Sequence, residues 1–243
     1  MDANSMKASD WEFKQRAIIF GLIFGLPGIL YTVDHQNSTA AVANWLAALQ
    51  HRDADAVAKA LFAVAAGFVA LGALVRTWAS AYLHSSVVYA AEVKTASLVA
   101  DGPYRQVRNP LYFGNVLMVI GIGSMMSRFG IVLAFVAMLV FCYRLIFREE
   151  ADLRVSQGDS FAAYVRAVPR LFPSPWPRIA PAGSAARWAD GLRAELWCWG
   201  FAVALAAFAV TLKMPVFLAI LGASIALFWV SSSVARKKSN EQL

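Results

Sequence analysis

The sequence predicts an all-α integral membrane protein with about six transmembrane helices, and three observations carry that expectation. Apolar residues make up 59% of the chain and charged residues only 15%, against ~45–50% and ~25% in soluble chains. The apolar residues gather into six runs that reach or approach the ~20 residues a helix needs to cross a bilayer. The basic residues fall mostly on one side of those runs. This composition excludes a disordered chain, a collagen-like chain and a disulfide scaffold, and it speaks against a soluble enzyme. In so apolar a chain the net charge of +7 reads as membrane-side charge rather than a nucleic-acid surface.

The runs are Ala17–Val33, Ala56–Ala79, Leu111–Met126, Phe129–Phe147, Leu196–Leu212 and Pro215–Val234. No cleavable leader is expected before the first, because Asp10 and Glu12 stand there and no small-residue cleavage pattern follows. Gly21 and Gly25 in the first run read as close helix packing within the protein, or as a dimer seam. Ser85–Val93 is β-branched and mixed, suggesting extended chain. Asp101-Gly102-Pro103 is a turn signal. Asn109-Pro110 reads as an N-cap with proline at the first helical position, launching the short third run. Ser127 and Arg128 make a tight link, so runs three and four should form a hairpin. Run four meets no breaker and should continue as helix to about Gln157-Gly158. A second helix, Ser160–Val168, presents Phe161, Tyr164, Val165 and Val168 at helical spacing. Five prolines between 169 and 181 then end regular structure, and 173–190 reads as a linker along the membrane surface.

With a cytoplasmic N-terminus, seventeen lysines and arginines fall inside and four outside, with Arg76 near the inner end of run two. The positive-inside rule therefore predicts six spans with both termini cytoplasmic. It also puts the two long polar segments, 80–110 and 148–194, on one side. The soluble-enzyme signatures GxGxxG, P-loop and GxSxG are missing. His35, His51 and His84 are isolated and no metal site is expected. Cys142 and Cys198 read as lipid-facing or core thiols.

The informative run is Leu98-Val99-Ala100-Asp101-Gly102-Pro103-Tyr104-Arg105-Gln106-Val107-Arg108-Asn109-Pro110-Leu111-Tyr112-Phe113-Gly114. A hydrophobic hairpin follows, then Arg148-Glu149-Glu150-Ala151-Asp152-Leu153, then Gly158, Phe161, Tyr164, Pro169-Arg170 and Pro173. Together these resemble the isoprenylcysteine carboxyl methyltransferases and the related membrane phospholipid methyltransferases, whose pattern is GxYxxxRHPxYxG, a hairpin, EExxL and a tyrosine-bearing helix ending near PR and P. Arg76-Thr77-Trp78-Ala79 resembles the family's upstream motif. The resemblance covers about residues 60–175. It divides the chain into an N-terminal span and external loop (1–55), a methyltransferase core (56–175) and a linker with two C-terminal spans (176–243). Asn109 stands where the family usually has histidine, as in some phospholipid N-methyltransferases. Asparagine keeps hydrogen bonding but loses a proton that titrates near neutral pH.

The resemblance implies S-adenosylmethionine as cofactor, bound at the cytoplasmic side, and a lipophilic small-molecule or lipidated acceptor reached from the membrane lipids. Arg108, Asn109 and Glu149 are the implied catalytic residues. The implied cofactor contacts are Tyr89, Ala96, Leu98, Val99, Tyr104, Arg108, Asn109, Pro110, Tyr112, Glu149 and Glu150. A helix start at 110 suits the carboxylate of the cofactor, and Arg108 would add a charged donor. Glu149 and Glu150 would hold the ammonium or the ribose. As neighbours on a helix they point about 100° apart, so one of them should face the pocket. Arg144, costly inside a span, either meets an anionic substrate or snorkels to the inner surface. Structural alternatives stand beside each: lipid phosphates for Arg105 and Arg108, a solvated helix end for the glutamates, an aromatic belt for Tyr104 and Tyr112. Three functions remain open beside carboxyl O-methylation: phosphatidylethanolamine-type N-methylation, an NADPH-dependent sterol reductase-like activity, and an inactive membrane scaffold.

Overall fold

The computed structural model describes residues 6–83 and 100–240. Among them the chain is helical and forms no strand, apart from a single bridge between Asn37 and Ser127. The expected extended stretch at 85–93 lies outside the described residues. The helices are α1 (Asp10–Lys14), α2 (Arg16–Gly25), α3 (Ser38–Gln50), α4 (Ala54–Tyr82), α5 (Pro110–Gly123), α6 (Arg128–Ala167), α7 (Trp188–Ala194), α8 (Leu196–Thr211) and α9 (Met214–Asn240). Two 3₁₀ turns, Leu26–Thr32 and Gly102–Arg105, interrupt the series.

Three of these, α4, α6 and α9, are long and apolar enough to cross a membrane, and the bent pair α7–α8 makes a fourth candidate. The first and third expected spans are shorter helices. Pro27 breaks the first into α2 and a 3₁₀ turn, because its ring cannot donate to the helical ladder. The third, α5, is 14 residues long, only ~21 Å of helix. The expected α5–α6 hairpin is present. Ser127 Oγ caps α6 by accepting from Gly130 N at 3.1 Å, and Asn37 Nδ2 donates to the carbonyls of Ser124 and Met126 at the hairpin tip.

α4 is the central element. It packs against α5, α8, α7 and α3, with Val69 and Ala73 fully buried in a core that includes Met118, Val119, Cys142 and Leu205. α4 and α5 touch through backbone: a Cβ on Gly121 would lie 2.4 Å from the Ala65 carbonyl and 2.4 Å from Val69 Cγ2. Gly121→Ala must push the two helices apart and should destabilise the protein by ~1–3 kcal/mol. Thermal unfolding in detergent measures this, with Gly67→Ala, where a Cβ meets nothing within 4 Å, as the unaffected control. The Gly21/Gly25 pair does not pack inside the protein as expected; a Cβ at either position also meets nothing within 4 Å. Cys142 and Cys198 are both free and buried.

α6 runs 40 residues through the glutamate pair and kinks at Gly158 (φ 52°, ψ −125°), a backbone conformation that L side chains avoid. The tail beyond it folds Phe161, Tyr164 and Val168 into a second small core with Leu153, Val165 and Ile179.

Candidate functional site

The site forms where α4 ends, α5 begins and α6 leaves the apolar bundle. Gly102 (φ 57°) turns the chain directly over Tyr82, whose ring leaves no room for a Cβ (2.3 Å). The following 3₁₀ turn buries Tyr104, and the Tyr164 hydroxyl donates to its carbonyl at 2.7 Å. The tail then returns alongside this run. Arg108 N donates to Pro169 O, Ser174 N to Gln106 O, Arg178 N to Arg105 O and Arg187 N to Ala81 O, all within 2.7–2.9 Å. Arg105 Nε closes the set on Ile179 O at 2.9 Å. The segment read as a surface linker is therefore a strap that fixes the 101–108 run.

Asp101 is its clasp. The carboxylate accepts from Ala182 N and Ser184 N, each at 2.7 Å, and these amides hold its pKa below the usual carboxylate value. Free Asp101 takes up a proton more readily than Asp101 clasped to the strap, so this stabilisation is present above the ordinary aspartate range, ~3.9, and is lost as pH falls below it. Protection of the Ala182 and Ser184 amides from hydrogen exchange, taken relative to the intrinsic rate at each pH, should fall under acid, and Asp101→Asn should show that loss already at neutral pH.

The two adjacent glutamates part company as their helical spacing requires. Glu150 is buried and held by two arginines. Arg108 Nη2 sits 3.0 Å from Oε1 and Arg170 Nη2 3.0 Å from Oε2, while Arg108 Nη1 donates to the carbonyls of Val165 and Val168. The structure thus spends Arg108 and Glu150, both expected cofactor contacts, on tying α6 and its tail to the start of α5. Glu149 points elsewhere, is only half-buried, and accepts from the Tyr112 hydroxyl at 2.7 Å. The Phe20 ring of α2 lies 6.3 Å from that tyrosine.

Asn109 sits at the N-cap position of α5, with Pro110 first in the helix, but makes no side-chain cap bond. Its backbone (φ −124°, ψ 62°) turns the amide away, and Nδ2 donates to Arg170 O at 2.9 Å. Arg144 is paired with Glu12 of α1 at 2.7 Å, and Arg148 with Asp10 at 2.6 Å, so the N-terminal helix is fastened to α6 beside the glutamates. Arg144 likewise holds Glu12 down to a pKa of about 2. Tyr104, Arg108, Asn109, Pro110, Tyr112, Glu149 and Glu150 are thus gathered at one end of the bundle. Tyr89, Ala96, Leu98 and Val99 lie outside the described residues. No group of three His, Cys, Asp or Glu side chains close enough to hold a metal occurs among the described residues.

Sequence reasoning missed Glu195. This carboxylate, at the N-cap of α8, is completely buried and sits 2.7 Å from Arg76 Nε. The available signal was a charged residue on each of two apolar runs, Arg76 within one and Glu195 at the start of the other, a pattern that is costly unless the charges meet.

Residues 60–156 match the model of the phospholipid methyltransferase family. Over those residues, about two fifths of the chain, the sequence is similar to that family. The fold, with three to four candidate spans among the described residues, is that of a multi-pass membrane protein with a segment that matches the model of this family. Two curated relatives match as well. One is the cobalt-zinc-cadmium resistance protein CzcN of Cupriavidus metallidurans, 30% identical over 43% of this chain and 45% of the relative. The other is the nickel-cobalt-cadmium resistance protein NccN of Alcaligenes xylosoxydans xylosoxydans, 30% identical over 48% of this chain and 52% of the relative. The chain spans about half the length of the curated relatives it matches. No solved structure matches it.

Proposed function

We propose that the protein transfers the methyl group of S-adenosylmethionine, bound from the cytoplasm, to a lipophilic acceptor held in the bilayer. The observation that carries this reading is the division of labour in the matched segment. Arg108 and Glu150 lock the scaffold, while Glu149, half-buried, accepts from the buried Tyr112 at the start of α5 and is not drawn into that lock. Glu149, oriented by Tyr112, would bind the ammonium or ribose of the donor. The first turn of α5 would present its free amides to the donor carboxylate. Tyr104 and Tyr112 are buried, so their part would be to shape the wall behind the donor, with the Tyr112 hydroxyl orienting Glu149. Transfer is an in-line displacement in which the acceptor–methyl bond forms as the sulfur–methyl bond breaks. The electron pair leaves with S-adenosylhomocysteine, and positioning supplies most of the rate.

The acceptor read first is a carboxylate, as in the isoprenylcysteine carboxyl methyltransferases. A carboxylate is ionised at neutral pH and needs no base, and Asn109 could not be one. The second reading, N-methylation of a phospholipid amine, is favoured by the description of the matching family. It requires a proton acceptor, and Glu149 or water would fill that role. Membranes containing the protein, supplied with methyl-labelled donor, separate the two: label released as methanol by mild base is an ester, and base-stable label in a head group is an N-methyl. Preferential binding of NADPH over S-adenosylmethionine by the purified protein would overturn both.

A further inference from the structure

We infer that Glu195, which lies outside the family-matched segment, is a positioning residue of the donor site that sets the charge beneath the first turn of α5 through Arg76. The inference rests on the methyltransferase reading above and adds a residue to it.

Arg76 leaves α4 within the apolar bundle and reaches across to α5. Its Nη1 lies 2.7 Å from Asn115 Oδ1 and 3.4 Å from the Leu111 carbonyl. Leu111 and Asn115 bracket Tyr112, so this guanidinium braces the turn that carries the candidate donor contact. The space for it is made by Gly114, where a Cβ would lie 2.4 Å from Arg76 Cγ. The carboxylate of Glu195 meets the other edge of Arg76. Oε2 sits 2.7 Å from Nε, and Oε1 accepts from Ser80 Oγ at 2.7 Å. Cys198 Sγ approaches Oε2 at 3.2 Å. Glu195 is fully buried and Arg76 nearly so. The Trp197 ring faces the guanidinium at 5.4 Å, and the close seat of Gly191 on the backbone of Thr77 and Ala81 presses the α7–α8 bend onto α4. The C-terminal helices thus deliver one negative charge into the bundle next to the family-matched run.

That charge matters to this donor in particular. S-adenosylmethionine carries a positive sulfonium, and S-adenosylhomocysteine has a neutral sulfide in its place. Removing the carboxylate of Glu195 makes the region under α5 one unit more positive, whatever else Arg76 touches. In a low-dielectric interior such a change is felt well beyond contact distance. It should repel the sulfonium and leave the sulfide nearly indifferent. A purely structural role would weaken both ligands alike.

The test is calorimetric binding of S-adenosylmethionine and S-adenosylhomocysteine to the purified full-length protein. Glu195→Gln is expected to weaken the methionine form about tenfold and the homocysteine form by less than about twofold. Glu195→Asp, which keeps the charge, should retain the wild-type ratio of the two affinities. The double variant Arg76→Gln/Glu195→Gln removes both charges and should also restore that ratio. If Glu195→Gln does not fold, Arg76→Gln decides: it makes the same region one unit more negative, so a ratio shifted toward the methionine form supports the inference, and an unchanged ratio or a shift the other way overturns it. Equal loss of both ligands in Glu195→Gln, or no loss, also overturns it. Wild-type protein that binds neither ligand instead refutes the methyltransferase reading.

Discussion

Glu149→Ala is expected to weaken S-adenosylmethionine binding by about tenfold to a hundredfold, with little change in the unfolding temperature. The range follows from a hydrogen bond to a charged group, ~1.5–3 kcal/mol. The small stability effect follows from the surroundings of Glu149. It is half-buried, its tie between α5 and α6 is the single hydrogen bond from Tyr112, and the buried ion pairs to Arg108 and Arg170 belong to Glu150 instead. Tyr112→Phe removes the hydroxyl that orients the carboxylate but keeps the ring, so its loss should be smaller, about threefold to tenfold. Glu149→Gln separates charge from shape: if the carboxylate holds the donor's ammonium, the amide fails nearly as badly as alanine. Calorimetry on the detergent-solubilised protein reads all three. Unchanged affinity in Glu149→Ala would remove this residue from the site.

The legible parts of this protein were those written in local chemistry. The break at Gly158, the α5–α6 hairpin at Ser127 and the helical face of Phe161, Tyr164 and Val168 each follow from turn residues or helical spacing, and each is present. The divergence of Glu149 and Glu150 follows from helix geometry alone. Less legible was anything set by partners distant in sequence. Asn109 has the composition of a cap, yet its amide is claimed by Arg170, 61 positions away. Arg144 looks like a stray cation in a span until Glu12, 132 positions away, is folded against it. The 173–190 segment contains prolines and small residues that predict only irregularity. Its role as a strap comes from bonds made by its own backbone, to the Asp101 carboxylate and Arg105 guanidinium as well as to main-chain carbonyls of 105–106, so the strap's side chains carry no signature of them. Span length was the remaining ambiguity, since hydropathy cannot see that Pro27 divides the first apolar run into α2 and a 3₁₀ turn.

Glu150→Ala should do the opposite of Glu149→Ala. Glu150 and Arg108 are nearly inaccessible, with side-chain exposures of 6% and 7%, and the carboxylate also meets Arg170. Deleting it leaves two guanidinium groups facing each other without the anion between them. Removing one partner of a buried ion pair costs ~3–5 kcal/mol, which for a chain of this size corresponds to a fall in apparent Tm of roughly 6–20 °C. The consequence is directional. Arg108 bonds the Val165 and Val168 carbonyls, and Asn109 bonds Arg170 O, so the tail loosens from the start of α5 before the apolar bundle does. Hydrogen exchange should therefore rise first across 161–174, while α4 and α5 stay protected. Glu150→Gln keeps the shape and acceptor oxygen and should fall between alanine and wild type. Donor binding measured well below the lowered Tm should stay within a few-fold of wild type, because the carboxylate assigned to the donor is its neighbour. A Glu150→Ala protein that unfolds like wild type yet has lost the donor would reverse the roles of the two glutamates.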